Sequence, residues 1–239
     1  MPESTTDTPL LSIRYTAAFQ LAFEVHGHQL RKSTSIPYIS HVMSVSALVL
    51  EAGGDEDCAI AALLHDAVED APDGRVMLDR IRGQFGPRVA SIVKACSDAS
   101  AVPGQAKAPW RERKEAYLAH LAVADADALL VSACDKLHNA RAIVADLREI
   151  GQAVWQRFTV TDAADHLWYY QSVSDAFSTR VQPRLANAVR VAVVEMTRLG
   201  SDPGEPGDEQ REWISNHSIA RGWQPIDGPS HTPSVSAAP

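Results

Sequence analysis

The sequence predicts an all-α protein, a bundle of about ten helices with no substantial sheet. Three observations carry that expectation. Apolar residues recur at helical spacing in one segment after another. No stretch combines sustained period-two alternation with β-branched enrichment. Glycine and proline collect at the joints between the periodic runs.

The first predicted helix spans 12–27 and the second 41–52, with Pro37 in the loop between them. Gly53-Gly54 ends the second. Asp55-Glu56-Asp57 opens the third, 56–70, as caps and as partners of the helix dipole. Pro72-Asp73-Gly74 leads into 75–84, Gly86-Pro87 into 87–96, and Pro103-Gly104 precedes 110–123. An apolar stripe of Leu129, Leu130, Val131, Leu137, Ile143 and Val144 marks 126–149. Gly151 precedes a short helix at 153–158, and Pro183 separates 162–180 from 184–199. Residues 1–11 are expected to be disordered. Beyond Gly200 the composition shifts to Pro, Gly, Ser, Asp and Glu, so 200–239 reads as a largely disordered tail, with Trp213, Ile214 and Trp223 as its few anchors.

Composition narrows the function. A chain of 239 residues can bury a good core, and 45% hydrophobic content is ordinary for a globular protein. A net charge of −8 provides no electrostatic footprint for nucleic acid. No signal peptide or membrane-spanning run is visible, and no membrane association is expected. Cys58, Cys96 and Cys134 are odd in number and fall in predicted helices. They read as reduced core residues of a cytoplasmic protein.

One stretch, ALLHDAVED from Ala62 to Asp70, sets His65, Asp66, Glu69 and Asp70 within six positions. On a continuous helix with His65 at zero, Glu69, Asp66 and Asp70 project at about 40°, 100° and 140°. Ile60, Leu63, Leu64, Ala67 and Val68 then fill the remaining arc of roughly 160° to 300°. The segment reads as an amphipathic helix. A solvated acidic face is the ordinary explanation of three acids, yet it accounts poorly for His65 at the edge of the apolar arc. Asp66 and Asp70, four apart, also repel by about 0.3 kcal/mol, which a cation over that face would cancel.

Two further residues extend this cluster. His41 ends RKSTSIPYISH, at the start of a helix. Asp135 interrupts the stripe of the 126–149 helix in SACDKLHNAR, where an acid is disfavoured unless something charged pairs with it. A salt bridge to Lys136 or Arg141 is one solution. The other is a metal: His41, His65, Asp66 and Asp135 together offer two imidazoles and two carboxylates, a donor set suited to Mn²⁺, Fe²⁺ or Zn²⁺ more than to Ca²⁺.

The order His…His-Asp…Asp resembles the signature of the HD metal-dependent phosphohydrolase superfamily, which is all-helical. More narrowly, RKSTSIPYISH, AALLHDAVEDA, FGPRVASIVKACSD and DKLHNAR resemble successive motifs in the hydrolase domain of RelA/SpoT-type alarmone enzymes, from about Ala18 to about Phe177. With no synthetase domain visible, the chain resembles a stand-alone small alarmone hydrolase, with the hydrolase domain over 12–199. The resemblance implies removal of the 3′-pyrophosphate from (p)ppGpp or (p)ppApp with one Mn²⁺, by a monomer or homodimer whose partner is the nucleotide. It implies His41, His65, Asp66 and Asp135 as metal ligands, and Glu69 and Asp70 as the pair that orients and deprotonates water. Arg31, Lys32, Asn139 and Tyr170 match positions lining the nucleotide site. A phosphate-holding cation falls among Lys107, Arg111, Arg113 and Lys114. Since Arg31 is no ligand, replacing it is expected to change kinetics and leave metal content alone.

The chain departs from the family pattern at Ala71-Pro72, where Thr commonly follows the Glu-Asp pair, at Cys134, usually Ala, and at Asp98, where Thr is typical. None of these removes a ligand. Two alternatives remain open on the sequence: an HD phosphatase acting on NADPH or another nucleotide, and a non-catalytic nucleotide sensor.

Overall fold

The computed structural model describes residues 11–97 and 108–201. Among the described residues the chain forms ten α-helices: α1 (Ile13–His26), α2 (Ile39–Glu51), α3 (Glu56–Leu64), α4 (Ala67–Asp70), α5 (Gly74–Phe85), α6 (Pro87–Cys96), α7 (Trp110–Leu121), α8 (Ala126–Ile150), α9 (Ala163–Phe177) and α10 (Pro183–Gly200). A 3-10 helix, Gly151–Arg157, follows α8 where an isolated short helix was expected. The only extended pairing among the described residues is a single bridge between Leu30 and Pro37. The expectations for residues 1–10 and 202–239, for Asp98, for Pro103-Gly104 and for Lys107 lie outside the described residues.

Local chemistry sets the boundaries. Asp55 caps α3 by accepting from the Cys58 amide, and Asp73, Asp125 and Asp162 cap α5, α8 and α9 in the same way. Gly86, at φ +94°, turns the chain between α5 and α6 in a conformation that a side chain would strain.

The third predicted helix differs from expectation in two respects. It is not amphipathic: every residue from Cys58 to Leu64 is buried, so α3 is a central helix covered on all sides. Ala59, Ala61 and Ala62 allow that, because small side chains let neighbouring helices approach. It is also broken. In a continuous helix the Ala62 carbonyl accepts from the residue 66 amide; here the His65 Nδ1 takes that carbonyl at 2.9 Å. The chain restarts with the Glu69 and Asp70 amides both donating to the Asp66 carbonyl, at 3.1 and 3.0 Å. The angles projected for Glu69 and Asp70 on a continuous helix therefore do not apply.

The core lies where α3 packs against α1, α2, α6 and α8, and α8 also packs against α9 and α10. The first turn of α2, the α3–α4 junction and the middle of α8 thus meet in the interior. Among the described residues no helix is long and apolar enough to cross a membrane.

Candidate metal centre and its basic pocket

His41 enters from the first turn of α2, His65 and Asp66 from the α3–α4 junction, and Asp135 from the middle of α8. The structure clusters three of them and sets the fourth, Asp135, beside both histidines. One ligating atom each of His41, His65 and Asp66 lie within 4.8 Å of one another. Asp135 Oδ1 joins them, 3.2 Å from His41 Nε2 and 3.7 Å from His65 Nε2. His65 Nε2 stands 3.0 Å from Asp66 Oδ2, and His41 Nε2 stands 3.8 Å from the same oxygen. Both histidines are almost fully buried.

The tautomers follow from the hydrogen bonds. His65 Nδ1 faces a carbonyl, so it carries the proton and leaves a lone pair on Nε2. That Nε2 is buried with no hydrogen-bond partner. His41 Nδ1 lies 2.8 Å from His138 Nδ1, which also faces the Arg31 guanidinium at 3.1 Å. A guanidinium only donates, so His138 Nδ1 accepts, and Arg31 Nη1 and His41 Nδ1 share its single lone pair in a three-centre bond. His41 Nε2 is then a second lone pair aimed inward. Two imidazole nitrogens face two carboxylates, and such a set is stable only around positive charge, a proton on His65 or a bound cation.

The ionisation tendencies agree. Burial opposes charge on His65, but Asp66 and Asp135 outweigh it and hold its pKa well above the ordinary value. Burial keeps His41 below its ordinary value, despite Asp135. Burial would raise both carboxylates, yet His65 holds Asp66 low and Lys136 and His41 hold Asp135 low. Tyr38 donates its hydroxyl to Asp66 Oδ2. Asn139 Nδ2 donates to Asp135 Oδ1 at 2.6 Å, and Lys136 Nζ lies 2.6 Å from Oδ2. The salt bridge weighed for Asp135 thus exists with Lys136, on the oxygen opposite the centre.

Glu69 and Asp70 are exposed on α4, one turn beyond Asp66. Asp70 is pushed above the usual carboxylate value by burial of its carboxyl and by Asp66, and His26 Nδ1 lies 3.5 Å from it.

A cavity of about 250 Å³ opens beside the centre. Arg31, Lys32, Lys114, Lys136 and Arg157 line it against one acid, Asp146, which Arg157 contacts at 2.7 Å. Asn139 and Tyr170 line it too, so all four sequence-predicted binding residues share this cavity. Of the three basic candidates within the described residues, Lys114 lines the cavity. Arg111 instead stacks over Trp168 at 3.2 Å, and Arg113 donates to the Ala108 carbonyl. A groove of about 370 Å³ between α1 and α5 is larger but chemically spent, since Arg80 pairs with Glu24 and Arg14 with Glu56 and Asp57.

Sequence reasoning missed Tyr38, His138 and Arg157 as parts of this region, and it named Lys136 only as a salt-bridge partner of Asp135. His138 and Lys136 had a signal: both sit within one turn of Asp135 on the same helix. Arg157 had none, because the 3-10 turn that carries it in has no periodic pattern.

By fold and by site, the chain is an all-helical protein whose interior gathers histidines and aspartates of a kind that could hold a metal ion. The HD domain model matches residues 18–160, more than half of the 239-residue chain, and the chain belongs to that family. Divalent-metal binding is typical of the family, and this donor set fits it. The chain is 31% identical over 128 residues to a probable guanosine-3′,5′-bis(diphosphate) 3′-pyrophosphohydrolase of Synechocystis sp., a match covering 54% of this chain and 16% of that protein. It is 32% identical over 126 residues to the guanosine-3′,5′-bis(diphosphate) 3′-pyrophosphohydrolase of Aquifex aeolicus, covering 53% and 17%. The chain therefore spans only a small fraction of the length of these relatives. A solved structure described as a metazoan ortholog of SpoT that hydrolyzes ppGpp superposes with a TM-score of 0.61 at 25% identity, covering 82% of this chain and 97% of that one.

Proposed function

We propose that this chain hydrolyses the 3′-pyrophosphate of (p)ppGpp or (p)ppApp, with Mn²⁺ held by His41, His65, Asp66 and Asp135. The observation that carries the reading is the buried pair His41 and His65 turned toward Asp66 and Asp135 beside a cavity lined with cations. A cation is needed at the first, and a highly anionic substrate suits the second. The names of the relatives from Synechocystis and Aquifex, and the description of the metazoan structure, support the choice of nucleotide.

The bound ion would lower the pKa of water and shield the approach to a phosphorus already surrounded by negative oxygens. The protein does the rest. Glu69 or Asp70 takes the proton of the attacking water, and burial and the neighbouring Asp66 keep Asp70 a better base than an ordinary aspartate. Lys32, Lys114 and Lys136 offset the charge of the two pyrophosphates, and Tyr170 offers an aromatic edge to the base. The bond to the ribose 3′-oxygen breaks, that oxygen is reprotonated, and pyrophosphate leaves. Three buried or half-buried free thiols, Cys58, Cys96 and Cys134, suit the reducing cytoplasm in which we place the reaction.

Incubation of the full chain and Mn²⁺ separately with ppGpp, ppApp and NADPH tests this. Pyrophosphate released from ppGpp or ppApp is the expected result. Phosphate from NADPH alone, or binding without turnover, would overturn it.

A further inference from the structure

Arg31 lines the basic cavity, but its guanidinium is engaged elsewhere. Nη1 donates to His138 Nδ1 at 3.1 Å, and Nη2 donates to Asn139 Oδ1 at 3.0 Å. Each acceptor holds a different candidate ligand. His138 Nδ1 accepts from His41 Nδ1 at 2.8 Å, and Asn139 Nδ2 donates to Asp135 Oδ1 at 2.6 Å. Arg31 thus reaches two of the four donors through two one-residue bridges. The contacts span more than a hundred positions of sequence, joining the loop before α2 to the middle of α8.

We infer that Arg31 is a positioning residue for the metal centre, a two-pronged strut that fixes the His41 tautomer through His138 and the Asp135 rotamer through Asn139. The inference rests on the reading that this centre holds a divalent cation. It replaces the expectation that Arg31 leaves metal binding untouched. A planar guanidinium is suited to the task, because its donors are fixed in one plane and can serve two acceptors at once. A lysine at this position supplies the charge without the fork. His138 must be a neutral acceptor for the chain of donors to run in this direction, and it faces a guanidinium that cannot give way. Partners of this kind set the orientation and basicity of ligands, and their loss commonly costs about 10–100-fold in metal affinity.

The strut and a simple charge predict opposite signs. A cation close to a metal centre repels the ion, so if Arg31 were only a charge, Arg31→Ala would tighten Mn²⁺ binding and Arg31→Lys would leave it unchanged. As a strut, both substitutions weaken it.

The experiment is a Mn²⁺ titration of the full chain without nucleotide, with free Mn²⁺ read by electron paramagnetic resonance. The wild type is compared with Arg31→Ala, Arg31→Lys, His138→Ala and the Arg31→Ala/His138→Ala pair. The account expects both Arg31 substitutions to weaken binding by about tenfold. The bound-Mn²⁺ spectrum should change alike in both, and the double substitution should fall short of the product of the singles, because the residues act in one chain. Tighter binding in Arg31→Ala, or wild-type affinity in Arg31→Lys, overturns the strut while leaving the metal reading intact. A wild-type chain that takes up no Mn²⁺ overturns both.

Discussion

The two ends of α3 carry similar numbers of acids and have opposite characters. At the N-terminal end, Asp55, Glu56 and Asp57 meet arginines: Arg14 lies 2.8 Å from Asp57 and 3.4 Å from Glu56, and Arg88 pairs with Asp55 and lies 2.8 Å from Asp127. These pairs are largely exposed, and together they tie α1, α3, α6 and α8 at the surface. At the C-terminal end, Asp66 is joined by Asp135 and the inward faces of two imidazoles, and Lys136 takes the outer oxygen of Asp135. Acid content alone does not distinguish a site from a stitch. What distinguishes this one is two buried histidines turned to face acids that, among the described residues, pair with no arginine.

The largest effect should come from the buried end. Asp135→Asn removes a donor and strands the Lys136 charge, so Mn²⁺ affinity should fall by more than the ~10–100-fold typical of an outer partner. Asp127→Asn, at the other end, should leave Mn²⁺ binding as it is. Equilibrium dialysis reads both, and equal losses would erase the contrast between the two ends.

Glu69→Gln sharpens the distinction between holding and reacting. It keeps shape and loses the ability to take a proton, so turnover should drop by ~10²-fold or more while Mn²⁺ binding persists. Wild-type turnover in this variant would move proton transfer to another residue.

Proton linkage also differs between the ends. Asp66 and Asp135 raise His65 well above its ordinary pKa, so Mn²⁺ must displace that proton. Apparent affinity should rise with pH, and Mn²⁺ binding should release protons. Calorimetry in buffers of different ionisation enthalpy measures it, and a buffer-independent heat would refute the assignment.

The smallest effect belongs to the surface end. Arg88→Ala should cost about 1 kcal/mol, or ~2–4 °C in Tm, with no change in Mn²⁺ affinity. Asp55 and Glu56 are held below their ordinary values by Arg88, Arg14 and backbone amides, with burial opposing. Carboxylates depressed in the folded state stabilise it above their unfolded pKa, and that contribution is lost as pH falls through the folded value. The Tm gap between the two proteins should therefore close below ~pH 4. A gap that persists in acid would mean that Arg88 acts by packing.

Much of this contrast was legible in the sequence. Helix positions followed from periodicity and from Gly and Pro joints, while the four candidate donors followed from Asp135 in an apolar stripe, His65 at the edge of one, and the order His…His-Asp…Asp. Asp135 inside an apolar stripe was the clearest of these. The break between α3 and α4 was not legible, because it depends on a side chain replacing a backbone donor at the Ala62 carbonyl, and a projection of residues on an ideal helix contains no such term. Nor was the Arg31 fork, whose partners lie more than a hundred residues away. Its function depends on a hydrogen-bond direction that only geometry defines.

The central claim is that the buried end of α3 is a cation centre, and thermal unfolding with and without Mn²⁺ tests it most directly. At about 100 times Kd, binding to the folded state adds ~2.7 kcal/mol, or roughly 5–10 °C in Tm for a chain of this size. The wild type should show that rise, Arg88→Ala should show the same rise from a lower starting point, and Asp135→Asn should show none. A wild-type Tm indifferent to Mn²⁺, or an equal rise in Asp135→Asn, would contradict the account.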